Sequence, residues 1–173
     1  MKRNNNIENQ FLSMLEQNIS IIIKISNVYT NTDQDRKELI SDIIFELWKS
    51  FSKFKGNSKV STWLYRVALN VALKSKRKRD SNKILFVEEL FTFDANSFID
   101  MPEEDISEIN QLYRCTEQLD PMNKAIILLY LDEKSNDEIA TIIGISRTNV
   151  STRLTRIREQ LKQCMIKNND YGN

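Results

Sequence analysis

Arg147, Thr148, Asn149, Ser151, Thr152, Arg153 and Arg156 crowd one short stretch near the end of the chain. Hydroxyls, an amide and guanidinium groups are the side chains that hydrogen-bond base edges and phosphates in a major groove. Between them Val150, Leu154, Ile157 and Leu161 recur at helical spacing, so the polar groups share the opposite face. The sequence just upstream, SNDEIATIIGIS over 135–146, predicts how that helix is held. Ser135 or Asn136 caps a short helix, with Glu138 in its first turn at the positive end of the dipole. Ile139, Ala140 and Ile143 are expected to face inward. Gly144 supplies a turn where a positive φ is needed, and Ser146 caps the next helix. Capped helix, glycine turn, capped helix is the order of a helix-turn-helix.

A second set of cations lies far from the first. From Lys49 to Lys83 there are 11 basic residues against the single acid Asp80, and from Glu88 to Asp120 ten acids against Arg114. Two basic blocks parted by an acidic one predict two surfaces that meet a polyanion, joined by a segment that avoids it. The overall charge of only +1 hides this arrangement. Other chemistries are poorly served. There is no histidine for an imidazole base or a zinc site, no glycine-rich phosphate loop and no paired carboxylates in a plausible pocket, so no enzyme and no cofactor are expected. Cys115 and Cys164 form no CxxC pair, and neither a disulfide nor a redox role is predicted for them. The longest apolar run, Ala125 to Leu131, is too short to span a bilayer, and the N-terminus opens no signal core; membrane insertion is not expected, and a cytoplasmic location is.

The elements that must position these groups read as helices. Three glycines and two prolines in 173 residues argue against a turn-rich β architecture. Leu39, Ile40, Ile43, Ile44, Leu47, Trp48 and Phe51 predict a helix from about 34 to 54, with Trp48 and Phe51 in the core. Trp63, Leu64, Val67, Ala68, Val71 and Ala72 predict another, ending in Lys76, Arg77, Lys78 and Arg79. An upstream segment from about Ile7 to Tyr29 is apolar enough to pack on both. Asp120 before Pro121 is a helix start. The fold class expected is all-α, with two small helical domains at 1–81 and 106–168, an acidic linker at 82–105 and a tail at 169–173.

Three stretches resemble the bacterial sigma-70 family of RNA polymerase factors, in its extracytoplasmic function (ECF) class. DRKELISDIIFELW, 35–48, is similar to the family's polymerase-binding helix D-x-E-D-L-x-Q-E-x-F-x-x-x-W. FKGNSKVSTWLYRVALN, 54–70, is similar to the promoter-melting segment F-R-G-x-S-x-F-x-T-W-L-Y-R-I-A-x-N. Residues 119–161 resemble region four and its helix-turn-helix. Lys37, Ser41 and Asp42 depart from the first motif, and Leu69 stands where a basic residue is common in the second. The resemblance implies a protein that binds core RNA polymerase, directs it to promoters and helps open the duplex.

In that picture Asp35, Glu38, Leu39, Asp42 and Phe45 dock on the β′ coiled coil, and the polymerase β flap is a further partner. Lys55, Asn57, Ser58, Lys59, Trp63, Tyr65, Arg66, Asn70 and Lys74 take the minus-ten DNA. A small-residue loop beside cations can receive a flipped base, on whose edge Asn57 or Ser58 bonds. Trp63 is divided between core packing and base stacking, and Tyr65 is expected to be exposed and to stack. The 147–156 group reads the minus-thirty-five duplex. An anti-sigma factor is an implied partner. The competing reading is a one-component helix-turn-helix regulator that binds operator DNA as a dimer without polymerase.

Overall fold

The computed structural model describes residues 2–82, 111–112 and 114–170, and among these residues there are helices and turns but no strand. The chain divides into two compact units, Met1–Phe86 and Val87–Asn173. The predicted acidic linker lies outside the described residues except for Asn82, as do the predicted boundary at 106 and residues 171–173 of the tail.

The first unit is built from α1 (Lys2–Tyr29), α2 (Asp33–Phe51) and α3 (Val60–Asn82), each packed on the other two. Phe11, Met14, Ile22, Ile25 and Tyr29 recur on one face of α1 and are buried. They meet Leu39, Ile43 and Leu47 of α2 and Leu64, Ala68, Leu69, Ala72 and Leu73 of α3. Burial of such a stripe is the main drive for packing three helices that are each only half apolar. Thr32 caps α2, its hydroxyl accepting from the Asp35 backbone N–H at 3.1 Å. At the same end of the unit Arg79 is drawn inward. Its guanidinium donates to the Tyr29 carbonyl at 2.9 Å and lies 3.4 Å from Asp35, pinning the end of α3 over the α1–α2 junction. Trp48 departs from the expected core position: it is 41% exposed, its ring edge-on to Phe11 with centroids 5.1 Å apart. Leu47 occupies the buried position beside it, and helical geometry carries Trp48 round toward solvent.

The second unit contains α4 (Pro121–Leu131), α5 (Asn136–Ile143) and α6 (Arg147–Asp170), preceded by a helical turn at 114–117. Asp120 caps α4, accepting from the backbone of Met122 at 2.9 Å and of Asn123 at 3.0 Å, ahead of Pro121. The core is aliphatic: Ala125 to Leu129, Ile139, Ile142, Val150, Leu154 and Ile157 are buried. Ile142 fills the place expected for Ile143, which is only half-buried together with Ala140. Ile142 and Ile143 lie on opposite sides of Ile139 around the helix, and the Ile142 side is the buried one. Cys115 and Cys164 overturn the sequence expectation outright, for they are joined in a disulfide. Although 49 residues separate them, the packing of α6 on α4 brings the 114–117 turn against α6, with Cα atoms 5.8 Å apart.

Candidate nucleic-acid interfaces

In the first unit, α2 ends at Phe51 and the chain turns through 52–59 before α3 begins. Gly56 sits at φ +72°, a conformation costly for any side chain with a Cβ, and it lets the loop bend back on itself. The bend leaves a pocket of about 270 Å³ lined by Ser50, Lys53, Phe54, Lys55, Asn57, Ser58 and Trp63. Its floor is aromatic: Trp63 stacks on Phe54 with centroids 4.8 Å apart and tilts against Phe51 at 6.3 Å. Its rim is polar and cationic, with Lys53, Lys55, Asn57 and Ser58 all exposed, and Lys59 is exposed just beyond it. The pocket is smaller than the roughly 300–1,000 Å³ of drug-sized sites. A planar ring entering it would find a π face below and amide, hydroxyl and ammonium groups at its edge.

From this pocket Arg66, Asn70 and Lys74 run along α3 at four-residue spacing, all exposed, forming a column on one face. Of the residues predicted for this surface, Lys55, Asn57, Ser58 and Trp63 line the pocket, Lys59, Arg66, Asn70 and Lys74 are exposed, and Tyr65 departs. Tyr65 is 3% exposed and belongs to the core, because it neighbours the buried Leu64 on the inner face of α3. Trp63 is half-buried against Phe51 and Phe54, as core packing requires, and also lines the pocket.

On α2 the predicted docking group divides. Glu38, Asp42 and Phe45 are exposed along one face, Phe45 at 62%. Leu39 is a core residue at 1% exposure, so it supports the helix rather than meeting a partner. Asp35 is half-buried and faces Arg79. Trp48, placed in the core by its apolar character, completes the exposed face three residues after Phe45. The missed signal was the i, i+3 spacing of two aromatics next to acids.

The second unit presents the α5–turn–α6 arrangement. Ser135 and Glu138 form a reciprocal capping box, with the Ser135 backbone N–H donating to the Glu138 carboxylate at 3.0 Å. Gly144 adopts the left-handed region at φ 83°, as the turn requires. Ser146 caps α6 through the Asn149 N–H at 3.2 Å. Arg147, Thr148, Asn149, Ser151, Thr152 and Arg156 are exposed on α6. Several are held before any ligand arrives. Asn136 donates to the Ser151 hydroxyl at 3.0 Å, and Arg147 lies 3.4 Å from Asp137. Arg153 donates to Asn149 at 2.9 Å and to Asn123 of α4 at 3.0 Å, which leaves its guanidinium half-buried and fixed in direction. Asn123 is thus a supporting residue that the sequence did not single out. Beside the 114–117 turn, burial raises the Glu117 carboxyl above its ordinary 4.5, opposed by Lys124 and Arg114.

These two units match known families. Residues 14–82 match the family model "Sigma-70 region 2", and residues 109–161 match "Sigma-70, region 4". The chain is 24% identical over 174 residues, 98% of both chains, to an RNA polymerase sigma factor of Bacillus subtilis, YlaC. It is 28% identical over 138 residues to the ECF RNA polymerase sigma-E factor of Haemophilus influenzae, covering 74% of this chain and 73% of that one. Among solved structures it is similar in fold to the sigma factor RpoE of Bartonella quintana, solved with the anti-sigma factor NepR. That match has a TM-score of 0.67 at 17% identity, over 92% of this chain and 96% of that one. CnrH, solved with the cytosolic domain of CnrY, also gives 0.67, at 16% identity over 92% and 90% of the two chains.

Proposed function

Because the chain belongs to the sigma-70 family and is of its ECF class, we propose that it works as a sigma factor. It binds core RNA polymerase, directs it to specific promoters and assists the opening of the duplex. The observation that carries this reading is the presence, in one chain and in family order, of a region 2 unit with an open aromatic pocket and a region 4 helix-turn-helix.

The exposed acidic and aromatic face of α2, with Glu38, Asp42, Phe45 and Trp48, docks on the polymerase β′ coiled coil. Leu39 acts behind it as core, and Asp35 at its edge. The pocket on the 52–59 loop takes one base flipped out of the minus-ten element. The Phe54–Trp63 pair stacks on it, and Asn57 or Ser58 bonds its edge. Lys55 at the rim and Lys59 just beyond it, with Arg66 and Lys74 on α3, hold the strand by its phosphates, and Asn70 contacts it between them. The exposed groups of α6 read the minus-thirty-five duplex in the major groove, with Arg153 as the pre-aimed side chain. The β flap is the polymerase partner for region 4. Two weak DNA sites held at fixed spacing on polymerase gain through effective concentration.

The protein acts in the cytoplasm, where polymerase and promoters are; among the described residues no helix is long and apolar enough to cross a membrane. Of the solved structures similar to it, one contains the anti-sigma factor NepR and another the cytosolic domain of CnrY. An anti-sigma factor covering these surfaces is the regulator proposed here. The one-component regulator is not favoured: it gives the first unit a dimerising or sensing task, whereas residues 14–82 match sigma region 2.

The test is co-elution with core polymerase, wild type beside Glu38→Lys/Asp42→Lys. Wild-type binding that the charge-reversed variant loses supports both the function and the docking face. A dimer that shifts duplex DNA unaided and ignores polymerase would overturn it.

A further inference from the structure

Cys115 and Cys164 are the only cysteines in the chain, and the fold brings them together. Cys115 comes from the 114–117 turn and is 2% exposed; Cys164 lies on the outer half of α6 and is half-buried. That half of α6 is otherwise weakly held. Val150, Leu154 and Ile157 are buried, but no residue from 158 to 167 is. Besides the disulfide, Gln111 ties the same segments together by donating to the Met165 carbonyl at 2.9 Å. A pocket of about 300 Å³ is lined by both cysteines together with Gln118, Leu119, Gln160, Gln163 and Lys167. Lys167 stands one helical turn beyond Cys164 and lines the same pocket. A reducing cytoplasm keeps such a pair as dithiol, so a bond placed at an open pocket is suited to form and break rather than to persist.

We propose that Cys115 and Cys164 are a reversible redox-modification site, oxidised by a small hydroperoxide, that fastens the outer half of α6 to the 114–117 turn. The chemistry balances. The Cys164 thiolate attacks the terminal peroxide oxygen, breaking the O–O bond, and protonation of the leaving group gives the alcohol and a sulfenic acid. The Cys115 thiolate then attacks that sulfur and expels water. Two thiols and one hydroperoxide yield one disulfide, one alcohol and one water. A dithiol reductant reverses the outcome by thiol–disulfide exchange. As a control on promoter binding this rests on the sigma-factor reading; as chemistry and as a constraint on the second unit it does not.

The experiment treats the full-length reduced protein with tert-butyl hydroperoxide and measures alkylation by mass spectrometry, thermal unfolding and, after addition of core polymerase, promoter binding in parallel. Reduced protein is expected to take up two alkyl groups and oxidised monomer none, with dithiothreitol restoring both. The unfolding transition of the second unit is expected to rise by roughly 10–20 °C on oxidation. The shift is expected to be absent from Cys115→Ala/Cys164→Ala and from the single variant Cys164→Ser. Thiols that remain alkylatable, oxidation that yields only cross-linked dimers, or a disulfide without any change in unfolding would each overturn the proposal. Alkylation and unfolding that respond as expected while neither redox form directs core polymerase to promoter DNA would uphold the site and count against the sigma-factor reading instead.

Discussion

The two candidate nucleic-acid surfaces are in opposite states of preparation. In the second, the candidate reading groups are braced by the protein: Ser151 by Asn136, Arg147 by Asp137, Arg153 by Asn149 and by Asn123 from another helix. In the first, the loop groups Asn57 and Ser58 are exposed at the rim of a pocket whose floor is a packed aromatic pair. Duplex DNA offers a regular pattern of donors and acceptors, so side chains aimed in advance lose little entropy on meeting it. A base that must leave its stack is better served by a cavity with a π face and an adaptable edge. The cores follow the same division, aromatic beneath the pocket and aliphatic beneath the reading helix.

The largest expected effect separates the units by stability. Ile157 is fully buried under α6, and Ile157→Ala should cost about 2–5 kcal/mol in the second unit. Two-transition thermal unfolding followed by circular dichroism should show the loss there, with the first unit's transition unchanged.

Next comes specificity. Arg153→Ala is expected to weaken promoter binding by about 1–3 kcal/mol and to flatten discrimination at one minus-thirty-five position, if its two braces aim it at a guanine. Competition binding against single-base promoter variants measures this. An even loss across all variants, with a shallower salt dependence, would instead make Arg153 a phosphate contact.

Much of this contrast was legible in the sequence. Caps, the Gly144 turn and the apolar stripe of α6 are local signals, and each has a local physical cause that operates wherever the motif occurs. What escaped is what depends on two elements meeting. Leu39 and Tyr65 carry motif positions, yet their faces are set by the third helix packed against them. Trp48 shows the reverse case, an apolar residue that helical rotation leaves outside. Asn123 gains its role only through Arg153, and the cysteines only through the return of α6 past the 114–117 turn.

Two smaller effects sharpen the comparison. Ser135→Ala removes the capping-box hydroxyl of α5 and should cost the second unit about 1 kcal/mol, read from denaturant midpoints. The Glu117 carboxyl is raised above its ordinary value by burial, so folding favours its neutral form. Its contribution is complete below the unfolded value and fades as pH rises through the raised one. Glu117→Gln should therefore leave stability nearly unchanged in acid and raise it slightly at neutral pH, by no more than a few tenths of a kcal/mol given solvent screening. Unfolding midpoints of the two proteins across that pH range test the sign.

The central claim, a pocket that captures an unpaired base in one unit and a braced helix that reads duplex in the other, has a direct measurement. Holoenzyme reconstituted with this protein is mixed with promoter DNA carrying 2-aminopurine in the minus-ten element, and fluorescence is followed beside binding of a minus-thirty-five duplex. Asn57→Ala/Ser58→Ala should abolish the fluorescence rise while duplex binding persists, and Arg153→Ala should lose duplex binding yet still give the rise on a template already unpaired at minus ten. Equal loss of both signals in both variants would contradict the division of labour.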